Sequence, residues 1–334
     1  MTVLNIGLLG AGRIGVVHAG AVASVPGARI VAVADPFEQA AQKVADDHGC
    51  DIRSIDAIAS SDDVDAVIIC TPTDTHADLI EQFAQAGKAV FCEKPIDLSL
   101  SRVKSCLDVV DRTGATLMLG FNRRYDPDFQ ALHAAVTSGS IGDVEMVTIT
   151  SRDPGPPPLE YIDRSGGIFR DMTIHDFDVA RWMLGQEVET VMAAASVLVD
   201  PDIGAHNDYD SLNVILRTAS GKQATITNSR RATYGYDQRI EVHGSLGAAT
   251  AKNTHEANIE VATANGYTRP PLQNFFMTRY TAAYAAEIRA FVTAVANKTP
   301  PPTTGHDGLM ALALADAAIL SVETGRRVYM SELL

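Results

Sequence analysis

Over its first 120 residues the chain alternates short, continuous apolar runs with longer stretches of helical periodicity. The runs are Leu4 to Leu9, Ile30 to Ala34, Ala66 to Cys70, Ala89 to Cys92 and Thr116 to Leu119. Between them lie Ile14 to Ser24, Pro36 to His48, Thr75 to Ala86 and Leu100 to Thr113. Strands apolar on both sides need cover on both faces, and helices of this length supply it, so the pattern predicts a doubly wound parallel sheet. After Gly120 the texture changes. Asp143 to Ser151, Val188 to Val199, Asp208 to Thr218, Lys222 to Arg230 and Gln238 to Gly244 alternate apolar with polar residues, which predicts strands with one covered face in an antiparallel or mixed sheet. The Gly166 to Leu184 region is expected as loop and helix within that second part. Met277 to Asn297 and His306 to Thr324 read as helices divided by Lys-Thr-Pro-Pro-Pro, and the Asp153 to Pro158 tract, DPGPPP, as a stiff loop. The expected division is an α/β domain over 1–120 and a second α/β domain over 121–334.

Composition narrows the partners. A chain of 334 residues exceeds the roughly 100–200 residues usual for one domain. The formal net charge of −14 disfavours nucleic acid and anionic membrane, both of which demand clustered Lys and Arg, and favours a small neutral or cationic ligand. Cys50, Cys70, Cys92 and Cys106 show no CxxC spacing, and Cys70 and Cys92 sit in strand-like runs. They read as reduced core thiols of a cytoplasmic protein, with neither a zinc site nor a disulfide framework. No basic start or cleavage site precedes VLNIGLLG, and no uninterrupted apolar run approaches the roughly 18 residues of a membrane span, so a soluble protein is expected.

Gly10, Gly12 and Gly15 form GxGxxG, with Arg13 and Ile14 between the last two, directly after the first strand and at the opening of a helix. In that context Gly10 permits a tight turn, Gly12 lets backbone approach a pyrophosphate and Gly15 allows close helix-to-strand contact. Asp35 ends the second strand, where a carboxylate would accept hydrogen bonds from the adenosine ribose hydroxyls and repel a 2′-phosphate. NAD is thus the expected cofactor, in preference to NADP. Two further strand ends carry polar groups: Thr71-Pro72, with His76 beyond, and Glu93-Lys94-Pro95. Ligands gather at the carboxyl ends of parallel strands. Lys94 could be aimed there by the proline that follows, or be a solvated charge, and His76 could simply open a helix.

Within GGIFRDMTIHDFD, Asp171 and His175 stand four residues apart, one turn of a single helical face. An imidazole can take a proton from an alcohol, and a carboxylate beside it can orient it. The competing structural reading has Asp171 capping a helix and His175 at a packed edge. Oxidising a secondary alcohol needs a hydride acceptor, a base and a donor for the reacting oxygen, which NAD, His175 and Lys94 would supply without a metal.

GAGRIG, Asp35, CTPTDTH, EKP, GFNRRYDP and GGIFRDMTIHDFD follow one another in the order and spacing of the glucose-fructose oxidoreductase, inositol dehydrogenase and rhizopine-catabolism family. The chain resembles that family over nearly its whole length, and within it most resembles the bacterial inositol 2-dehydrogenases. The resemblance implies a Rossmann domain followed by an α/β domain with a large open sheet used for assembly into homotetramers. It also implies that Lys94, Asp171 and His175 match the family's catalytic lysine, aspartate and histidine, and that the substrate is myo-inositol, oxidised to the 2-keto inosose. Arg123, Asp153, Asp171, Thr173 and Tyr236 are the candidates to bind such a polyol, with aromatic packing the alternative for Tyr236. Tyr280 and Tyr284 read as core. Some family members carry His and Asn where Ser151 and Asp153 stand here, which leaves another inositol isomer or a pyranose sugar open. An NAD-dependent glycosidase and a non-catalytic cofactor sensor are the remaining alternatives.

Overall fold

A computed structural model describes residues 3–334. The helices are α1 (Arg13–Ser24), α2 (Glu38–His48), α3 (Ile55–Ser60), α4 (His76–Gln85), α5 (Leu100–Thr113), α6 (Pro127–Thr137), α7 (Leu159–Ser165), α8 (Gly167–Asp171), α9 (Thr173–Leu184), α10 (Pro201–Ala205), α11 (Phe276–Arg279), α12 (Thr281–Asn297) and α13 (Gly305–Thr324). Two compact units divide the chain, Met1–Tyr125 with Thr281–Met310, and Asp126–Tyr280 with Ala311–Leu334. The return of 281–310 to the first unit differs from a single crossing near residue 120. Periodicity shows that α12 has an apolar stripe, at Ala283, Tyr284, Ile288, Phe291 and Ala294, but does not say which surface the stripe covers. It covers α1.

In the first unit six strands, β1 (Leu4–Leu9), β2 (Ala28–Ala34), β3 (Asp51–Ile52), β4 (Ala66–Ile69), β5 (Ala89–Cys92) and β6 (Leu117–Leu119), line up in the order β3-β2-β1-β4-β5-β6. All neighbours are parallel. The doubly wound expectation holds, and the strand order reverses between β1 and β4, the switch point where such sheets bind ligands. Ile6, Leu8, Ile68 and Phe91 are wholly buried, as strands covered on both faces require. The two-residue β3 escaped the sequence pattern because it is an exposed edge with no apolar run.

The second unit holds β7 (Val144–Arg152), β8 (Val188–Ser196), β9 (Ser211–Thr218), β10 (Gln223–Ser229), β11 (Asp237–Gly244), β12 (Gly247–Ala251) and β15 (Val328–Tyr329), ordered β12-β11-β7-β10-β9-β8-β15. A small hairpin, β13 (Val261–Thr263) with β14 (Gly266–Thr268), stands apart from this sheet. Only the β7–β10 pair in the seven-stranded sheet is parallel. Strict alternation along β9 and β11 buries Leu212, Val214, Leu216, Ile240 and Val242 on one face, while Met146, Met192 and Ile215 stay about half exposed on the other. Helix α9 covers the inner face through β7 and β10, and ten of its twelve residues are buried.

One helix bears on the absence of a long apolar run. Helix α13 is, by length and composition, long and apolar enough to cross a membrane, but acidic residues interrupt it and most of it is buried inside the protein. It reads as a core helix of alanine and leucine. The four cysteines are free thiols, with Cys70, Cys92 and Cys106 buried. Burial pushes the Cys106 thiol up to about 12 and raises those of Cys70 and Cys92 well above their usual value, so these three stay unreactive.

Candidate active site

The loop after β1 is built by its glycines. Gly10 has φ +92°, and a β-carbon there would lie 2.7 Å from the Cys70 carbonyl oxygen at the end of β4. At Gly15 a β-carbon would sit 2.0 Å from the Gly10 carbonyl oxygen, so only glycine lets α1 start this close to β1. Gly12 is different: nothing lies within 4 Å of the position its β-carbon would take. Gly12 also caps α1 with no side-chain hydrogen bond, and the first turn contains no acidic residue. The amides of that turn, with Arg13 exposed and Ile14 partly so, are left to an anion, as a dinucleotide pyrophosphate would require.

Asp35 directly follows β2 and accepts hydrogen bonds from the Ala11 amide at 2.6 Å (Oδ2) and the Phe37 amide at 2.7 Å (Oδ1). The carboxylate thereby fixes the glycine loop, and each oxygen keeps a lone pair for a ribose hydroxyl. At the end of β4 the Thr71 and Thr75 hydroxyls are 2.6 Å apart, with Pro72 exposed between them. His76 is buried. Its Nδ1 lies 2.7 Å from the Pro95 carbonyl oxygen and its Nε2 2.8 Å from that of Thr71. Two such contacts would suit an imidazolium, yet burial holds the His76 pKa below the usual value. The ring braces the β4 turn against the β5 turn and has no nitrogen left for a ligand. Beyond β5, Lys94 is partly exposed and its peptide with Pro95 is cis. Glu93 is buried and pairs with His18 of α1 at 2.6 Å. Arg123 is also buried in this unit, in a 3-10 turn over Asn122–Tyr125 that packs on α12.

In the second unit the Asp171–His175 region is two helices rather than one. Asp171 closes α8, and His175 falls in the first turn of α9, with Met172 as the joint. The His175 amide bonds the Met172 carbonyl at 3.4 Å, a tightened turn. The local cause lies in Gly166 and Gly167, both at φ near +80°, and in Asp208, whose Oδ1 accepts from the Ile168 amide at 2.9 Å. Neither residue caps a helix with its side chain. Asp171 accepts a hydrogen bond from the Tyr161 hydroxyl at 2.9 Å, and both Asp171 and His175 are partly exposed.

Other candidates lie deeper. Thr173 is fully buried and donates to Asn228 Oδ1 at 2.7 Å, while Asn228 Nδ2 donates to Asp176 Oδ2 at 2.8 Å. Ser151 is buried as well and donates to Gln238 Oε1 at 2.7 Å. This polar layer satisfies buried groups between α9 and the sheet. Tyr236 is 6% exposed, its ring edge-on to Phe275 and Tyr280, so its aromatic body packs as the alternative reading held. Tyr280 and Tyr284 are buried, as expected. Asp153 follows β7, its amide bonded to the Ser229 carbonyl at 3.0 Å, and remains partly exposed at the head of the proline-rich loop. A hollow of about 450 Å³ on the open face of the sheet is lined by Thr190, Met192, Ile215, Arg217, Gln223 and Arg327, none of them a candidate.

The sequence reading missed the partners of Glu93. His18 and Glu287 are both wholly buried beside it. Glu287 could have been noticed, since it is the one acid inside the apolar stripe of α12.

Comparison with known proteins gives the same division of labour. Residues 4–121 match the profile of an oxidoreductase family with an NAD-binding Rossmann fold, and residues 129–250 match the GFO/IDH/MocA C-terminal domain. An inositol 2-dehydrogenase of Rhizobium meliloti is 64% identical over 328 residues, covering 98% of this chain and 99% of that protein. A myo-inositol 2-dehydrogenase of Thermotoga maritima is 43% identical over 99% of this chain and 100% of its own. The solved structure of scyllo-inositol dehydrogenase from Lactobacillus casei with bound NAD(H) and scyllo-inositol superposes with a TM-score of 0.92 at 28% identity, covering 99% of this chain and 100% of the other.

Proposed function

We propose, starting from the fact that this chain belongs to the GFO/IDH/MocA oxidoreductase family, that it oxidises myo-inositol to 2-keto-myo-inositol with NAD. The first unit is an NAD-binding Rossmann domain and the protein an NAD-dependent oxidoreductase. The observation that carries the substrate is the 64% identity, end to end, with an inositol 2-dehydrogenase.

When bound, NAD would supply the acceptor for the hydride that leaves the carbinol carbon. The chain's own groups handle the rest. His175 takes the hydroxyl proton as general base. Asp171, itself steadied by the Tyr161 hydroxyl, orients the imidazole and favours its charged form. Lys94 donates a hydrogen bond to the reacting oxygen and lowers the cost of alkoxide character. Gly10, Gly12, Arg13, Ile14, Gly15 and Asp35 hold the dinucleotide, with Thr71, Pro72 and Glu93 at neighbouring strand ends and His76 bracing them. Asp153 adds an acceptor for a ring hydroxyl. The burial of Arg123, Thr173 and Tyr236 supports giving these three a bracing part beneath the polyol. Asp35 selects NAD over NADP. The half-exposed Met146, Met192 and Ile215 support assembly of copies through the open sheet face into a homotetramer, and three buried reduced thiols suit the cytoplasm.

A second reading, scyllo-inositol or another ring polyol, is favoured by the ligand bound in the Lactobacillus casei relative and by Ser151 and Asp153. Following NADH absorbance with myo-, scyllo- and chiro-inositol and common aldoses decides between them. Myo-inositol is expected to give the highest kcat/KM, and no oxidation of any inositol overturns the proposal. Stoichiometric NADH with a free polyol also excludes the glycosidase alternative.

A further inference from the structure

Around Glu93 the first unit buries two further ionisable groups that have no role so far. His18 on α1, Glu93 at the end of β5 and Glu287 on α12 bring one ligand atom each within 4.8 Å of one another. His18 and Glu287 are 0% exposed and Glu93 is 8%. Glu93 Oε1 contacts His18 Nε2 at 2.6 Å. Among the described residues Glu287 has no hydrogen-bond partner at either oxygen, nor does His18 at Nδ1. The rest of the lining is aromatic, with Phe91 and Tyr284 edge-on to the His18 ring at 5.0 and 5.4 Å. A β-carbon on Gly120, just past β6, would stand 3.1 Å from the Glu93 carboxyl, so backbone closes that side.

We infer that Glu287 is held as a neutral carboxylic acid which, together with His18, clamps the Glu93 carboxylate and so fixes the strand end that presents Lys94. This rests on the role proposed for Lys94. The argument begins with charge. A lone carboxylate without hydrogen bonds is not stable in a dry site, and two carboxyls this close do not both ionise. Glu93 is the member with a donor at hand, in the imidazole N–H, so it keeps the negative charge. Glu287 keeps its proton, and a small side-chain rotation lets its hydroxyl donate to Glu93. Burial, with the charge of Glu93 beside it, pushes the Glu287 carboxyl well above the usual carboxylate range. The other titratable neighbours agree: burial and the charge of Glu93 raise the thiols of Cys70 and Cys92, which stay neutral. Because Glu93 immediately precedes Lys94, restraint of its side chain restrains the next peptide. His18 and Glu287 are therefore positioning residues.

Two variants separate positioning from bulk. Glu287→Gln keeps shape and a donor, while Glu287→Leu fills the space without one. E287Q should hold kcat within about threefold of the parent, and E287L should lower kcat about 10- to 100-fold with NAD affinity and Tm retained, because misplacing a reacting group is costly even in a sound fold. Infrared difference spectra of the whole protein should contain the carbonyl stretch of a protonated buried acid and lose it in E287Q. The inference is overturned if E287L turns over like the parent, if E287Q is as slow as E287L, if no such band is lost, or if the purified protein carries a stoichiometric metal ion that E287Q abolishes. The spectra need no substrate. A protein that oxidises no inositol but loses the band in E287Q refutes the substrate and keeps the clamp; an active protein without the band does the reverse.

Discussion

A methyl group added at Gly15 would meet the Gly10 carbonyl at 2.0 Å, whereas one added at Gly12 would meet no protein atom within 4 Å. The same three-glycine motif thus contains two glycines the fold demands, Gly10 and Gly15, and one, Gly12, that only a ligand could demand. Gly15→Ala should destabilise by about 3 kcal/mol or more, since backbone must move to admit it. Gly12→Ala should leave Tm within about 2 °C and weaken NAD roughly 10-fold or more, through lost approach to the pyrophosphate. Thermal melts beside NAD titrations check both. Residues of this kind are legible from sequence because motif and position coincide. Thr173 and Ser151 were not: each has the chemistry of a ligand group, but alternation tells only which face a residue takes, and both turned out to satisfy buried amides. His76 was ambiguous for the same reason, and only the Pro95 and Thr71 carbonyls settle what its nitrogens contact.

Elements followed from pattern wherever burial was continuous or alternating. All five strands expected of the second sheet appear within a few residues of their expected ends, as do α4, α5 and α13. Breaks were less visible. The stretch from Met277 reads as one helix but is α11 and α12 with Tyr280 between, and α8 and α9 part at Met172. At the first of these breaks the end of α11 is tied to the start of α6: Arg279 reaches the Asp126 carboxylate, which also accepts the Asp128 and Phe129 amides at 3.1 and 3.2 Å. Both side chains are nearly fully buried, and the guanidinium lies over the Phe129 and Tyr280 rings. Arg279→Ala leaves that carboxylate buried without its cation and should cost about 3–5 kcal/mol. The double change Asp126→Ser with Arg279→Met removes both charges while keeping an N-cap and an apolar stem, and should lose less than Arg279→Ala alone. Urea denaturation of the three proteins measures the difference.

For the whole molecule, the seven-stranded sheet has a covered face and an open one, and the open one is the face proposed for assembly. Ile215→Asp, on β9 within that face, should, if copies assemble there, shift the protein toward monomers in light scattering without lowering its melting point by more than a few degrees, as a half-exposed site tolerates charge when alone but not when covered. Retention of the parent assembly would remove this face as the interface. The order of the chain has a separate effect on how the protein comes into being. Helix α12 belongs to the cofactor unit but is made after nearly all of the other, since residues 126–280 intervene. At the usual pace of about 5–20 residues per second, the ribosome needs roughly 10–30 s to go from residue 125 to the end of α12. Throughout that interval the nascent Rossmann half has its sheet but not its last helix, so the flank of α1 around His18 is uncovered and Glu93 lacks one of its two neighbours. Chaperone capture of the growing chain should be greatest in this window, since the half that is begun first waits for most of the other before it can be completed.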